Sequence, residues 1–155
     1  MIKLLFLAFL SFGLSHYAGG AQPLQAAAWT VIIAVIFAVL SLLLVKGRII
    51  RLVSAVTFLA ISYIGYYLGA SESTTAFNSC VESSELIRQK VLDFRAQNNR
   101  FPENLHEVAI LDCGQRIFRP SILNYHNTAN GFELWFSDWL TKWTGSESEP
   151  MMARK

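Results

Sequence analysis

All eleven acidic residues of this 155-residue chain stand at Glu72 or later, and the first seventy residues carry only Lys3, Lys46, Arg48 and Arg51 as full charges. A bilayer penalises an unpaired charge by several kcal/mol, so long charge-free stretches between basic markers read as membrane spans. The asymmetry divides the chain into a membrane-embedded front and a water-soluble back. Charged residues make up only 15% of the whole, against about a quarter in a soluble domain. The net charge of +2 combines a basic front with a back of nine basic and eleven acidic residues. No basic surface of the kind that binds nucleic acid is present, so no DNA or RNA partner is expected.

Residues 26–45 (AAAWTVIIAVIFAVLSLLLV) form an uncharged run of twenty, and twenty helical residues cover about 30 Å, one hydrocarbon thickness. Residues 52–70 are also uncharged, with Tyr63, Tyr66 and Tyr67 toward the far end, where amphipathic rings favour the interface. Between them lies the basic turn of Lys46, Arg48 and Arg51, which the positive-inside bias places in the cytoplasm. Residues 4–20 are apolar behind Lys3. They read either as a short first span or as a signal peptide cut near Gly19, Gly20 and Ala21. Both readings put the N-terminus inside and the C-terminal part outside, which in a bacterium is the periplasm.

No Asp, Glu, Lys or Arg falls within these stretches, so a proton relay or ion pathway has no residues to use. Thr30, Ala34 and Ala38 recur every four positions, and Gly65 and Gly69 form a GxxxG pair. Small faces of this kind let helices approach closely. They are read as packing the spans on one another, with a partner's helix as the alternative.

From residue 71 the composition turns polar (SESTT), a joint suited to capping a following helix. Phe77, Cys80, Ile87, Val91 and Phe94 then keep helical spacing, interrupted at Ser84. Asn98 and Asn99 supply a stop, because Asn tolerates the left-handed conformation that ends helices. Pro102 opens a short helical turn through Leu105 and Val108. Residues 122–126 and 132–136 alternate in polarity around Asn130-Gly131, the pattern of a β-hairpin. Residues 139–143 offer a third strand, and residues 146–155 read as a disordered tail. The expected fold is therefore a membrane anchor (1–70) followed by a small α+β domain (71–145), one long helix packed on a short antiparallel sheet.

Residues 94–105 (FRAQNNRFPENL) resemble the helix-ending segment of type II secretion pseudopilins and type IV pilins: an aromatic, a polar run, a turn residue, then Arg, an aromatic, Pro and Leu. Tyr125 followed by Gly131, Phe132, Glu133 and Leu134 is similar to the hairpin of the same globular domains. The likeness covers residues 76–143. It implies a pilin-like exterior domain and a place beside a pilus or secretion assembly. Asn99 stands where Gly is usual, and the short basic leader and the Glu five residues into the apolar segment of those families have no counterpart. The resemblance therefore implies an accessory and not a filament subunit.

Cys80 and Cys113 are the two cysteines. In an oxidising compartment they are expected to bridge the helix to the segment before the sheet, with two free buried thiols as the alternative. His16, His106 and His126 are scattered without ligand spacing, and no nucleophile, phosphate loop or metal motif is recognisable. No catalytic residue, cofactor, metal or small-molecule substrate is assigned. Phe132, Trp135, Phe136, Trp139 and Trp143 form an aromatic cluster, read as part core and part candidate partner patch, since Trp and Phe anchor interfaces. The functional expectation is an inner-membrane protein held in the lipid bilayer, with a periplasmic domain for a protein partner. The alternative is a small structural subunit of a larger membrane complex, its contacts made by the transmembrane helices.

Overall fold

A computed structural model describes residues 2–21, 23–108, 113–117, 119–128, 131–137 and 140–154. Its contacts divide the chain into two units, Met1–Ser73 and Thr74–Lys155. The fold is α+β: helices α1 (Ile2–Gly19), α2 (Pro23–Leu44) and α3 (Arg48–Asn98), a 3₁₀ turn at Leu105–Glu107, and four strands.

In the first unit, α1 ends where Gly19 and Gly20 remove side-chain support, with Gly20 N still donating to the His16 carbonyl. Pro23 opens α2, a first-turn position whose N–H has no helical acceptor in any case. At the other end of α2, Gly47 takes a left-handed φ of 98°, and the Arg51 Nε donates to the Val45 carbonyl at 2.7 Å. A cation thus satisfies an orphan carbonyl at the negative end of a helix. The inward residues of this unit are small or polar: Ser11, Ser15, Thr30, Ala34, Ser41 and Ser62 are buried, with Phe37 and Phe58. Those two rings stack at 6.0 Å between centroids. Large apolar side chains face outward, among them Phe9, Ile32, Val35, Val53 and Ile64.

The polar residues 71–75 do not break the helix, contrary to expectation; α3 runs through them to Asn98. No Gly or Pro occurs between Ala70 and Asn98, and Ser and Thr weaken a helix by only tenths of a kcal/mol each. Termination is at Asn99, which adopts φ 53°. Asn adopts that left-handed conformation more readily than most residues, which suits it to the end of a helix.

In the second unit the strands form a meander, β1 (Asn124–Thr128), β2 (Gly131–Ser137), β3 (Lys142–Ser146) and β4 (Met152–Arg154), in the order β1-β2-β3-β4. All three pairings are antiparallel, with Thr128 opposite Gly131 and Ser137 opposite Lys142. Period two places Phe132, Leu134 and Phe136 on the buried face. They pack with Cys80, Ile87 and Val91 of α3 into one core, closed by Val108, Cys113 and Met151. Phe77 meets Phe136 edge-on at 5.5 Å, and Phe101 meets Phe132 at 5.4 Å.

Within the segment expected to be a disordered tail, residues 146–154 are ordered into the sheet, β3 ending at Ser146 and β4 following, and Lys155 lies outside the described residues. The cause is side chains on α3. Arg88 Nη1 donates to the carbonyls of Ser146 at 3.0 Å and Glu147 at 3.3 Å. Glu85 accepts from the Met151 N–H at 2.9 Å and from Arg88 Nε at 3.0 Å. Buried Met151 completes the attachment. The third strand likewise lies later than the run 139–143, because its register with β2 centres on Trp135 opposite Thr144.

Candidate functional site

In the first unit α1 and α3 meet along a close seam. Gly65 and Gly69 are both buried there. A methyl group on Gly65 would stand 2.7 Å from the Phe12 carbonyl oxygen, and one on Gly69 would overlap the His16 carbonyl. On the facing helix, a methyl on Gly19 would overlap the Tyr66 carbonyl. The backbones touch because these positions lack side chains. Ser11 and Ser62 hydroxyls bond across the same seam at 2.8 Å, and His16 Nε2 lies 3.4 Å from a Glu72 carboxylate oxygen. The GxxxG pair is visible in sequence. Its complement, Ser11, Ser15 and Gly19 at intervals of four, carries the same small-residue signal. Of the other small-residue set, Thr30 and Ala34 are buried and Ala38 is half-buried. The inward face of α2 continues through Phe37 and Ser41 instead, as a 3.6-residue period requires.

Lys46, Arg48 and Arg51 are all exposed, with Arg51 also capping α2. Arg51 is thus part of the turn's own construction.

Cys80 and Cys113 form a disulfide, with Cα atoms 4.6 Å apart and a sequence separation of 33. Both are buried. Gly114, at φ 72°, packs against the bridge and Ile122, so a side chain there would meet both conformational and steric resistance.

The aromatic cluster does not form one surface. Phe132 and Phe136 are buried at 2% and 0% exposure and belong to the core. Trp143, opposite Phe136 in register, stacks on it at 6.0 Å. Trp135 points to the opposite sheet face and is half-buried. Trp139 lies outside the described residues. A two-residue alternation cannot present Phe132, Trp135 and Phe136 together, so a single patch of all five is not what the strand geometry provides.

The chain end of α3 is held by charge. Arg95 lies over the Phe101 ring at 4.5 Å and Arg100 over Phe94 at 5.2 Å. Arg100 pairs with Glu107 at 2.8 Å, and Arg95 pairs with Glu147. The Glu103 N–H donates to Glu107, and this bond, with Arg100, holds the Glu107 carboxyl below the usual range. Hydrogen bonding from Arg88 lowers Glu85 in the same way, against some desolvation. The Tyr125 hydroxyl donates to the Pro102 carbonyl at 2.8 Å, and burial together with the Glu107 charge pushes its pKa to about 12. These contacts fix the segment that carries the Arg-aromatic-Pro motif onto the hairpin. They explain why those residue types stand in that order.

Among the described residues no three of His, Cys, Asp and Glu gather as a metal site. Comparison with family models, with curated proteins and with solved structures finds no match to this chain.

Proposed function

We propose that this chain is an integral protein of a bacterial inner membrane that displays a pilin-like α+β domain in the periplasm, where the domain binds a protein partner. The observation that carries the membrane part is the inverted polarity of the first unit. Serines and a threonine are inside, while Val, Ile, Leu and Phe face out over α1, α2 and the first part of α3. In water this arrangement exposes far more apolar surface than a monomer tolerates; in lipid it is the expected solution. Helices α2 and α3 each contain a stretch long and apolar enough to cross a bilayer, and the apolar stretch of α1, Leu4–Gly19, is shorter. Lys46, Arg48 and Arg51 give the orientation.

The pilin-like part rests on the motif at residues 94–105 and on a long helix laid against an antiparallel meander. An accessory role in a pilus or secretion assembly rests on that likeness alone. The competing idea, a subunit whose helices make the contacts, has less to draw on: the close-approach glycines Gly65 and Gly69 are already filled by α1.

Two fusions test the placement. Alkaline phosphatase joined after Trp143 is expected to be active, and green fluorescent protein at the same point dark. Activity of the fluorescent fusion alone refutes the topology, and extraction of the protein by alkaline carbonate refutes membrane integration itself.

A further inference from the structure

Contacts within the first unit fix the heights of its three helices against one another. Helices α1 and α3 run parallel, since Ser11 meets Ser62, the Phe12 carbonyl faces Gly65 and the His16 carbonyl faces Gly69. Helix α2 runs the other way, with the Val45 carbonyl held by Arg51 and Phe37 stacked on Phe58. Carried on for two turns, that register sets Trp29 level with residues 66–67, and the α1–α3 register sets Tyr17 within a turn of Tyr67. Each helix thus brings an exposed aromatic side chain to one height. Tyr17 is 56% exposed, Trp29 61% and Tyr67 62%, with Tyr63 a turn below at 67%. At the opposite end Lys46, Arg48 and Arg51 are exposed.

The band between these two levels is short. Arg51 and Tyr67 stand sixteen residues apart on α3, Trp29 and Val45 sixteen apart along α2 and its end, and the apolar stretch of α1, Leu4–Gly19, holds sixteen residues. At 1.5 Å per residue each measures about 24 Å, and tilt only shortens the distance along the membrane normal. An ordinary hydrocarbon core is about 30 Å thick. Among the described residues, the large exposed apolar side chains of this unit lie in the band or mark its edge, except Ile49, Ile50 and Leu68. Those three stand within two residues of Arg51 or Tyr67.

We infer that the first unit is fitted to a hydrocarbon core about 24 Å thick, and that it gathers phospholipids of short acyl chain around itself in preference to longer ones. Tyr and Trp hold the boundary on one side, because an amphipathic ring is most stable between headgroups and chains. The cations hold it on the other, because a guanidinium or ammonium group at chain depth loses its hydration. A longer lipid must compress to meet both boundaries at once, and the cost of each ångström of mismatch sorts lipids by length. This inference rests on the membrane reading proposed above, and its test separates the two.

A thiol-reactive fluorophore is attached to the full-length chain at Val56→Cys, an exposed position inside the band. Cys80 and Cys113 are bridged, so the variant presents one thiol. The protein is reconstituted into vesicles of equal parts dimyristoleoyl- and dierucoylphosphatidylcholine, with one or the other brominated at its double bonds. Quenching by each brominated lipid is normalised to quenching in that lipid alone. The short lipid is expected to quench in excess of its share, with a relative affinity of roughly threefold or more. In the Tyr63→Leu/Tyr67→Leu variant, whose uncharged stretch of α3 runs on toward Glu72, the preference is expected to shrink toward unity. Equal quenching by the two lipids, or a preference for the long one, overturns the inference. An unaltered preference in the double variant overturns the assignment of the boundary to the aromatic ring. A label that neither lipid quenches, in protein retained by the vesicles, means that protein and not lipid covers the band, which also overturns it. Failure of the chain to remain in the vesicles at all strikes the membrane reading instead.

Discussion

Replacing Arg88 with Met tests what orders the C-terminal residues. The guanidinium is 14% exposed and serves three groups at once: the Glu85 carboxylate and the carbonyls of Ser146 and Glu147. Met keeps much of the buried stem and removes every donor. A hydrogen bond to a charged group contributes roughly 1.5–3 kcal/mol, and water re-solvates part of what is freed at this rim. The expected loss is about 2–4 kcal/mol, confined to the attachment of the β3–β4 region to α3. Because proteins open locally at less than the global cost, amide exchange is the suitable readout. Protection of the β3–β4 ladder is expected to fall roughly 30- to 700-fold, the same energy at 1.4 kcal/mol per decade. Protection of β1–β2 is expected to change little. Glu85→Gln should lower the same amides, and the double variant should cost less than the two singles combined. Arg88 also holds the Glu85 pKa down, so the clamp's stability is present above the ordinary carboxylate pKa and is lost as pH falls through the lowered folded value. If Arg88→Met leaves β3–β4 protection unchanged, or if the loss is uniform over the whole sheet, the clamp does not order this segment.

Other expectations follow from contacts already described. Tyr125 titrates near 12 in the fold against about 10 when exposed, so stability is complete below pH 10 and declines as pH rises from 10 to 12. Tyr125→Phe should abolish that decline and cost about 1 kcal/mol at neutral pH, read by denaturant titration at both pH values. Gly69→Ala should separate α1 from α3 and lower the melting temperature in detergent, whereas Gly13→Ala, with nothing within 4 Å of the added carbon, should not; equal effects would deny the close seam. Opening the Cys80–Cys113 bridge, which closes 33 residues, should cost about 3–4 kcal/mol. Two free thiols in the denatured, unreduced protein would remove the premise.

Much of the fold was legible because single physical rules governed it. Charge-free runs located α2 and the first part of α3, alternation located the β1–β2 hairpin, and a left-handed Asn located the end of α3. Two features are not legible in the sequence for a common reason: their partners are remote along the chain. Arg88 and Glu85 look like an ordinary i,i+3 surface pair, and only the fold brings residues 146–151 to them. Ser11, Ser15 and Gly19 acquire meaning only opposite Ser62, Gly65 and Gly69. The aromatic cluster divides between the core and the other sheet face, as period two requires of Phe132, Trp135 and Phe136. At residues 71–75 polarity marks a change of surroundings and does not by itself end a helix.

In the proposed bilayer setting, the seam between α1 and α3 implies an order of assembly. Its hydroxyl pair joins residues 51 apart, and α2 must be threaded before the second hydroxyl exists. At roughly 5–20 residues per second of synthesis, Ser11 waits roughly 3–10 s for Ser62. During that interval the first helix has polar atoms and a bare glycine backbone turned toward lipid or insertion machinery. A nascent chain halted before Ser62 would therefore expose a transient polar stripe, a natural handle for the factors that shepherd unfinished membrane proteins.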